Sequence, residues 1–138
     1  MIKRLSHVTV WVFDQDLAKT FYVDKLGMQV REDQKMGDKM RWLTVGPKEQ
    51  PDMQIALLLP SAGPLMDAET AASLRTLVEK GALSAGVLET DDVRRDYEEL
   101  VKKGVTFRTP PVEQFYGIEA ILKDPFGNWF SFTQSKPH

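Results

Sequence analysis

The chain of 138 residues has no cysteine. Disulfides, thiolate nucleophiles and thiolate-held metals are therefore excluded. Histidine is almost as scarce, with His7 and the terminal His138 the only two, and we expect His138 to be a mobile end, not a ligand. There is no excess of one charge: 18 Lys and Arg stand against 20 Asp and Glu, a formal net charge of -2, with no basic block. That balance points to neither a nucleic acid nor an anionic membrane as partner. Long apolar runs are missing too. The opening "MIKRLSHVTV" reads as a strand with two basic residues before it, so no signal peptide or membrane span is expected and a cytoplasmic setting is the default. No glycine-rich phosphate loop occurs, because "GPKEQPDMQ" and "SAGPLMD" lack the Lys-Ser/Thr ending. A Ser131–His7–Asp triad can be drawn on paper, yet no nucleophile elbow surrounds Ser131.

What remains is ordinary for a globular protein: 42% hydrophobic and 28% charged residues, in a length that suits one domain or two tightly fused halves. Residues 5–13, "LSHVTVWVF", alternate and predict a strand. "DQDLAKTFYVDKLG" follows, with Asp14 or Asp16 as helix cap and Gly27 as stop, predicting about three helical turns. Strands are expected near 29–33, 39–45 and 53–59, separated by the turns "KMGDK" and "GPKEQPD". Residues 60–82 change character and predict a connection carrying a helix around 68–80. Then the first pattern returns. "LSAGVLETDDVRRDYEELVKKGVTF" reads as strand, Asp cap, amphipathic helix and Gly stop, and strands follow near 105–108, 118–123 and 129–133. The charge run inside it reads as a solvated helix face with spaced ion pairs.

The repeat has a consistent spacing. Asp14 and Asp92 are 78 apart, and Gly27 and Gly104 are 77 apart. Aligning on these pairs places His7 opposite Ala85 and Gln54 opposite Ser131.

This doubled strand-helix-three-strand pattern, with "LSHVTVWVFDQDLAKTFYVDKLG" near the start and "GIEAILKDPFGNWFSFTQ" near the end, resembles the vicinal oxygen chelate superfamily. That family includes glyoxalase I, extradiol dioxygenases, epimerases, fosfomycin-inactivating transferases and bleomycin-resistance proteins. The resemblance covers essentially the whole chain and implies an α+β fold. Two βαβββ modules, about 1–60 and 83–136, would form one domain whose curled mixed sheets enclose a cavity. In many members two subunits complete the cavities, so a homodimer is expected. "DPFGN" itself is a hairpin turn: Asp124 bonds backbone amides, Pro125 presets its dihedral and Gly127 takes a conformation closed to other residues.

Metal-dependent members of that superfamily hold a divalent ion with four ligands, two per module, which polarises adjacent substrate oxygens. Carried onto this chain, those positions are His7, Gln54, Ala85 and Ser131. His7 matches. Gln54 offers a neutral amide oxygen. Ala85 offers nothing, and Ser131 stands where a glutamate is expected. The nearest carboxylates are Glu89 and Glu119. We therefore expect no metal and no other cofactor.

Alternation sorts the remaining candidates. His7, Thr9 and Trp11 share one face of the first strand, and Trp129, Ser131 and Thr133 share one face of the last. Val8, Val10 and Val12 on one strand, and Phe130 and Phe132 on the other, point to the helix side. A hydroxyl beside an indole suits an organic ligand better than a cation. Phe115 and Tyr116 lie where the superfamily often has a loop at the cavity mouth, although an ordinary turn is the plainer reading. Trp11, Trp42 and Trp129 equally suit a core or an interface. The expected ligand-binding set is His7, Trp11, Gln54, Phe115, Tyr116, Trp129 and Ser131. Two functions fit it. One is a metal-free small-molecule binding protein resembling bleomycin-resistance proteins. The other is a lyase, isomerase or dioxygenase of the same superfamily that uses a divalent metal or His7 as general base.

Overall fold

A computed structural model describes residues 1–38 and 40–136. The chain divides into two compact units, residues 1–76 and 77–138, and the division falls inside a helix. His138 and the predicted start of a strand at Lys39 lie outside the described residues.

The first unit is built on β1 (His7–Trp11), β2 (Gln29–Met36), β3 (Met40–Gly46) and β4 (Gln54–Leu58). Its order is β1-β4-β3-β2, with β1 parallel to β4 and the other neighbours antiparallel. After β1, Asp14 accepts a hydrogen bond from the Leu17 amide at 2.9 Å and caps α1 (Gln15–Lys19). The helix then widens into a π-helical turn, Thr20–Lys25, and ends at Gly27 with φ +79°. Phe21 and Tyr22, presented by that turn, are buried, as are Ala18 and Met28. Val10, Val12, Leu43, Val45, Ile55 and Leu57 are buried from the sheet and form the core of this unit with them. Beyond that core an ion cluster ties β2 and β3 to α1. Arg41 clasps Asp33 through two nitrogens, at 2.8 and 3.0 Å, and reaches Asp16 at 2.7 Å, while Lys19 meets Asp33 at 3.0 Å. Bonds from Arg41 and then Lys19 hold the Asp33 carboxyl well below the usual carboxylate range.

α2 (Ala68–Glu79) leads into the second unit, which repeats the order: β5 (Ser84–Glu89), α3 (Val93–Lys102), β6 (Thr106–Gln114), β7 (Gly117–Lys123) and β8 (Trp129–Ser135). The sheet order β5-β8-β7-β6 matches the first unit strand for strand. Asp92 caps α3 by accepting from the Arg95 amide at 3.1 Å, and Gly104 closes it with φ +88°. Both predicted caps and both predicted stops are therefore in place. Phe130 and Phe132 are buried on the helix side. The architecture is the α+β arrangement of two βαβββ modules.

One strand is longer than its sequence suggests. The sequence predicts a strand over 105–108, and β6 continues to Gln114 through Pro110 and Pro111. It lies at the edge of its sheet, and its register shifts between Thr109 and Val112, so the missing proline N–H groups interrupt no regular ladder. The "DPFGN" turn joins β7 to β8. Asp124, 3% exposed, accepts from the amides of Phe126, Gly127 and Asn128 at 2.9 to 3.0 Å and from the Asn128 side chain at 2.8 Å. Gly127 has φ +117°, and a Cβ there would meet the Val78 carbonyl oxygen at 2.1 Å. Among the described residues, no helix is long and apolar enough to cross a membrane.

Candidate functional site

In the first unit the face turned away from the core is polar and aromatic. β1 and β4 run in parallel with His7 directly beside Gln54 and Trp11 beside Leu58. The His7 ring lies 5.9 Å from Trp42, tilted by 47°, and its Nδ1 is hydrogen-bonded to Ser6 Oγ at 2.8 Å. Trp42 Nε1 donates to Glu32 at 2.7 Å. Thr44, completely buried, donates to the Gln54 amide oxygen at 2.7 Å and accepts from the Glu32 amide at 3.0 Å. His7, Trp42, Glu32, Thr44 and Gln54 thus form one connected group of side chains across four strands. Glu32 and Thr44 escaped the sequence reading. A β-bulge between Val30 and Glu32 resets alternation there, so simple parity along β2 does not show which face Glu32 joins.

The corresponding face of the second unit carries Trp129, Ser131 and Thr133 on β8. Ser131 Oγ lies 2.8 Å from Thr133 Oγ and donates a short hydrogen bond to Glu119 on β7. The other oxygen of Glu119 accepts from the Tyr116 hydroxyl at 2.6 Å. Because the protonated phenol makes that bond, the Tyr116 pKa is pushed above its ordinary value. Phe115 and Tyr116 form the two-residue turn between β6 and β7, with their rings edge to face at 5.0 Å. At the other end of β8 the Arg108 guanidinium lies 5.5 Å from the Trp129 ring centre, and Lys123 is the strand partner of Trp129.

Ala85 lies in β5 where the register with β8 shifts, between Ser84 and Gly86. The strand partner of Ser131 is consequently Val87, not Ala85, and Val87 brings no ligating atom. Glu89 pairs with Thr133 and is exposed.

These donors do not fit the divalent ion that the resemblance implies. The Gln54 oxygen already accepts from Thr44, Ser131 spends its proton on Glu119, and Ala85 and Val87 are inert. Among the described residues no three His, Cys, Asp or Glu side chains are grouped to hold a metal.

The fold and the doubled faces define the class. The Glyoxalase/Bleomycin resistance protein/Dioxygenase superfamily model matches residues 4–132, and the chain belongs to that superfamily. Among solved structures, UcmS2 is 47% identical, with a TM-score of 0.91 over 98% of this chain and 100% of that one. TnmS3, an antibiotic binding protein from Streptomyces sp. CB03234, is 32% identical with a TM-score of 0.76, covering 98% of each chain. YurT of Bacillus subtilis (strain 168) is 32% identical over 126 residues, 91% of this chain and 94% of its own.

Proposed function

We propose that this protein binds a planar organic ligand without a metal, and that the ligand is an antibiotic, a reading supported by the likeness to TnmS3, an antibiotic binding protein. The observation carrying this reading is the Ser131–Glu119 hydrogen bond. Where metal-dependent members place a ligand, this chain has a hydroxyl already committed to a neighbouring carboxylate. The residues proposed to contact the ligand are His7, Trp11 and Gln54 on the first unit, and Phe115, Tyr116, Trp129 and Ser131 on the second. Indoles supply stacking area, and the amide and hydroxyl groups orient what is stacked. The cytoplasm, where an entering drug would be sequestered, belongs to the same reading.

Protein purified without added ions should contain no stoichiometric transition metal. Planar aromatic antibiotics should quench its indole fluorescence, and Trp129→Ala should weaken binding by about 0.5–1.5 kcal/mol beyond the lost contact area. Nearly one nickel, zinc, iron or manganese per chain, lost in His7→Ala, would overturn the proposal. A second reading is a superfamily lyase or isomerase with His7 as general base. It draws on the Ser6 bond to Nδ1, which orients the imidazole. Turnover of a carbonyl substrate that survives chelator and disappears in His7→Ala would favour it.

A further inference from the structure

We propose that Glu119 selects the ligand of this protein by accepting a hydrogen bond from an aromatic hydroxyl, which takes the place that the Tyr116 phenol occupies in the structure. This rests on the small-molecule binding reading above and names the chemistry that the ligand must carry.

Glu119 is half-buried and shares the face of Ser131 and Thr133. Among the described residues no Lys, Arg or His forms an ion pair with it. Its two hydrogen-bond partners, Ser131 and Tyr116, are neutral hydroxyls, one on each oxygen. A carboxylate partly shielded from water and without a cation beside it gains from each donor it accepts. The two hydroxyls differ in mobility. Ser131 is buried within a central strand, 8% exposed, and holds its side of the carboxylate in place. Tyr116 is 40% exposed at a hairpin tip, beside Phe115 at 86%.

The backbone beneath Tyr116 is held firmly. Its carbonyl accepts from the Lys136 amide at 3.1 Å, and the next residue, Gly117, has φ +149° with no space for a Cβ, which would meet Gln134 O at 2.1 Å. The ring can therefore rotate away without the turn moving. That rotation exposes an oxygen whose geometry already accommodates a phenol. A cationic ligand is the poorer fit, because Arg108 and Lys123 stand at the Trp129 end of the same face. A neutral planar hydroxyaromatic suits both ends.

The test compares 7-hydroxycoumarin with 7-methoxycoumarin, titrated at mildly acidic pH so that the hydroxyl keeps its proton. The hydroxyl compound should bind about tenfold more tightly, as one hydrogen bond to a carboxylate permits. Glu119→Gln should remove most of that preference. Tyr116→Phe should raise the preference for the hydroxyl compound over the ether several-fold, since no phenol then competes. Thermal unfolding of each variant checks its fold, and Tyr116→Phe decides alone if Glu119→Gln does not fold. Equal binding of the two coumarins, or a preference that survives Glu119→Gln, would overturn the role of Glu119 while the binding reading stands. If neither coumarin binds or quenches the indoles, both proposals fail for planar aromatics.

Discussion

Tyr116 and Glu119 show how one hydrogen bond writes itself into a titration. The phenol donates to the carboxylate only while protonated, so its folded-state pKa is raised, through that bond first and through desolvation second. A raised pKa means that the bond's contribution is complete below the ordinary tyrosine value of about 10 and is lost as pH climbs through the folded-state value. Tyr116 is largely solvated, which keeps the effect on stability small, so the titration itself is the measurement to make. Of the three tyrosines, Tyr22 is buried, and Tyr116 should ionise later than an unpaired surface phenol in an absorbance titration. Glu119→Gln should shift one tyrosinate transition to lower pH. Superimposable curves for parent and variant would count against the hydrogen bond in solution. His7 carries a different lesson. Its bond to Ser6 and its tilt against Trp42 are what distinguish it from an ordinary sheet histidine.

At the scale of elements, the two modules solve one packing problem with different fasteners. In the first, α1 is short and continues as a π-helical turn that sets Phe21 and Tyr22 edge to face at 5.0 Å under the sheet. The Asp33–Arg41 clasp and its neighbours Lys19 and Asp16 then bind that helix to β2 and β3. In the second, α3 brings Tyr97 against Phe107 of β6, rings 4.6 Å apart, and Gln134 of β8 accepts from the Val93 amide at 3.0 Å. The Asp33 cluster predicts an acid response. A depressed carboxyl pKa contributes stability that is present above the unfolded value of about 3.9 and is lost as pH falls through the folded-state value. Asp33→Asn should accordingly lower the melting temperature near neutral pH, with the difference from the parent shrinking under strong acid. A pH-independent difference would assign Asp33 a packing role in place of an electrostatic one.

At the scale of the whole molecule, each four-stranded sheet leaves two edges, β1 and β2 in one unit and β5 and β6 in the other. Val87 on β5 is 64% exposed and Val112 on β6 is 43% exposed. Unpaired edges carrying apolar side chains invite association. We propose that the protein forms a homodimer, as the superfamily resemblance leads us to expect. Sedimentation at micromolar concentration should give about twice the chain mass of 15.7 kDa. A species at the single-chain mass would rule the dimer out.

Much of this architecture was legible from local chemistry. Asp14 and Asp92 cap because their side chains reach the amides of the first turn, and Gly27 and Gly104 stop because they accept positive φ. Alternation along one strand likewise places Trp129 with Ser131, and His7 with Trp11, because the period of two is a property of the backbone itself. What stands opposite what is another matter. Glu119 reaches Ser131 because β7 and β8 are antiparallel in the register that pairs Ile121 with Ser131 and Glu119 with Thr133. Val87 displaces Ala85 from Ser131 through one shift in β5, and the Val30–Glu32 bulge puts Glu32 beside Thr44 and within reach of Trp42. Register and bulges are settled by the packing of whole sheets, so a linear pattern names the face of each side chain but not its neighbour across the strand.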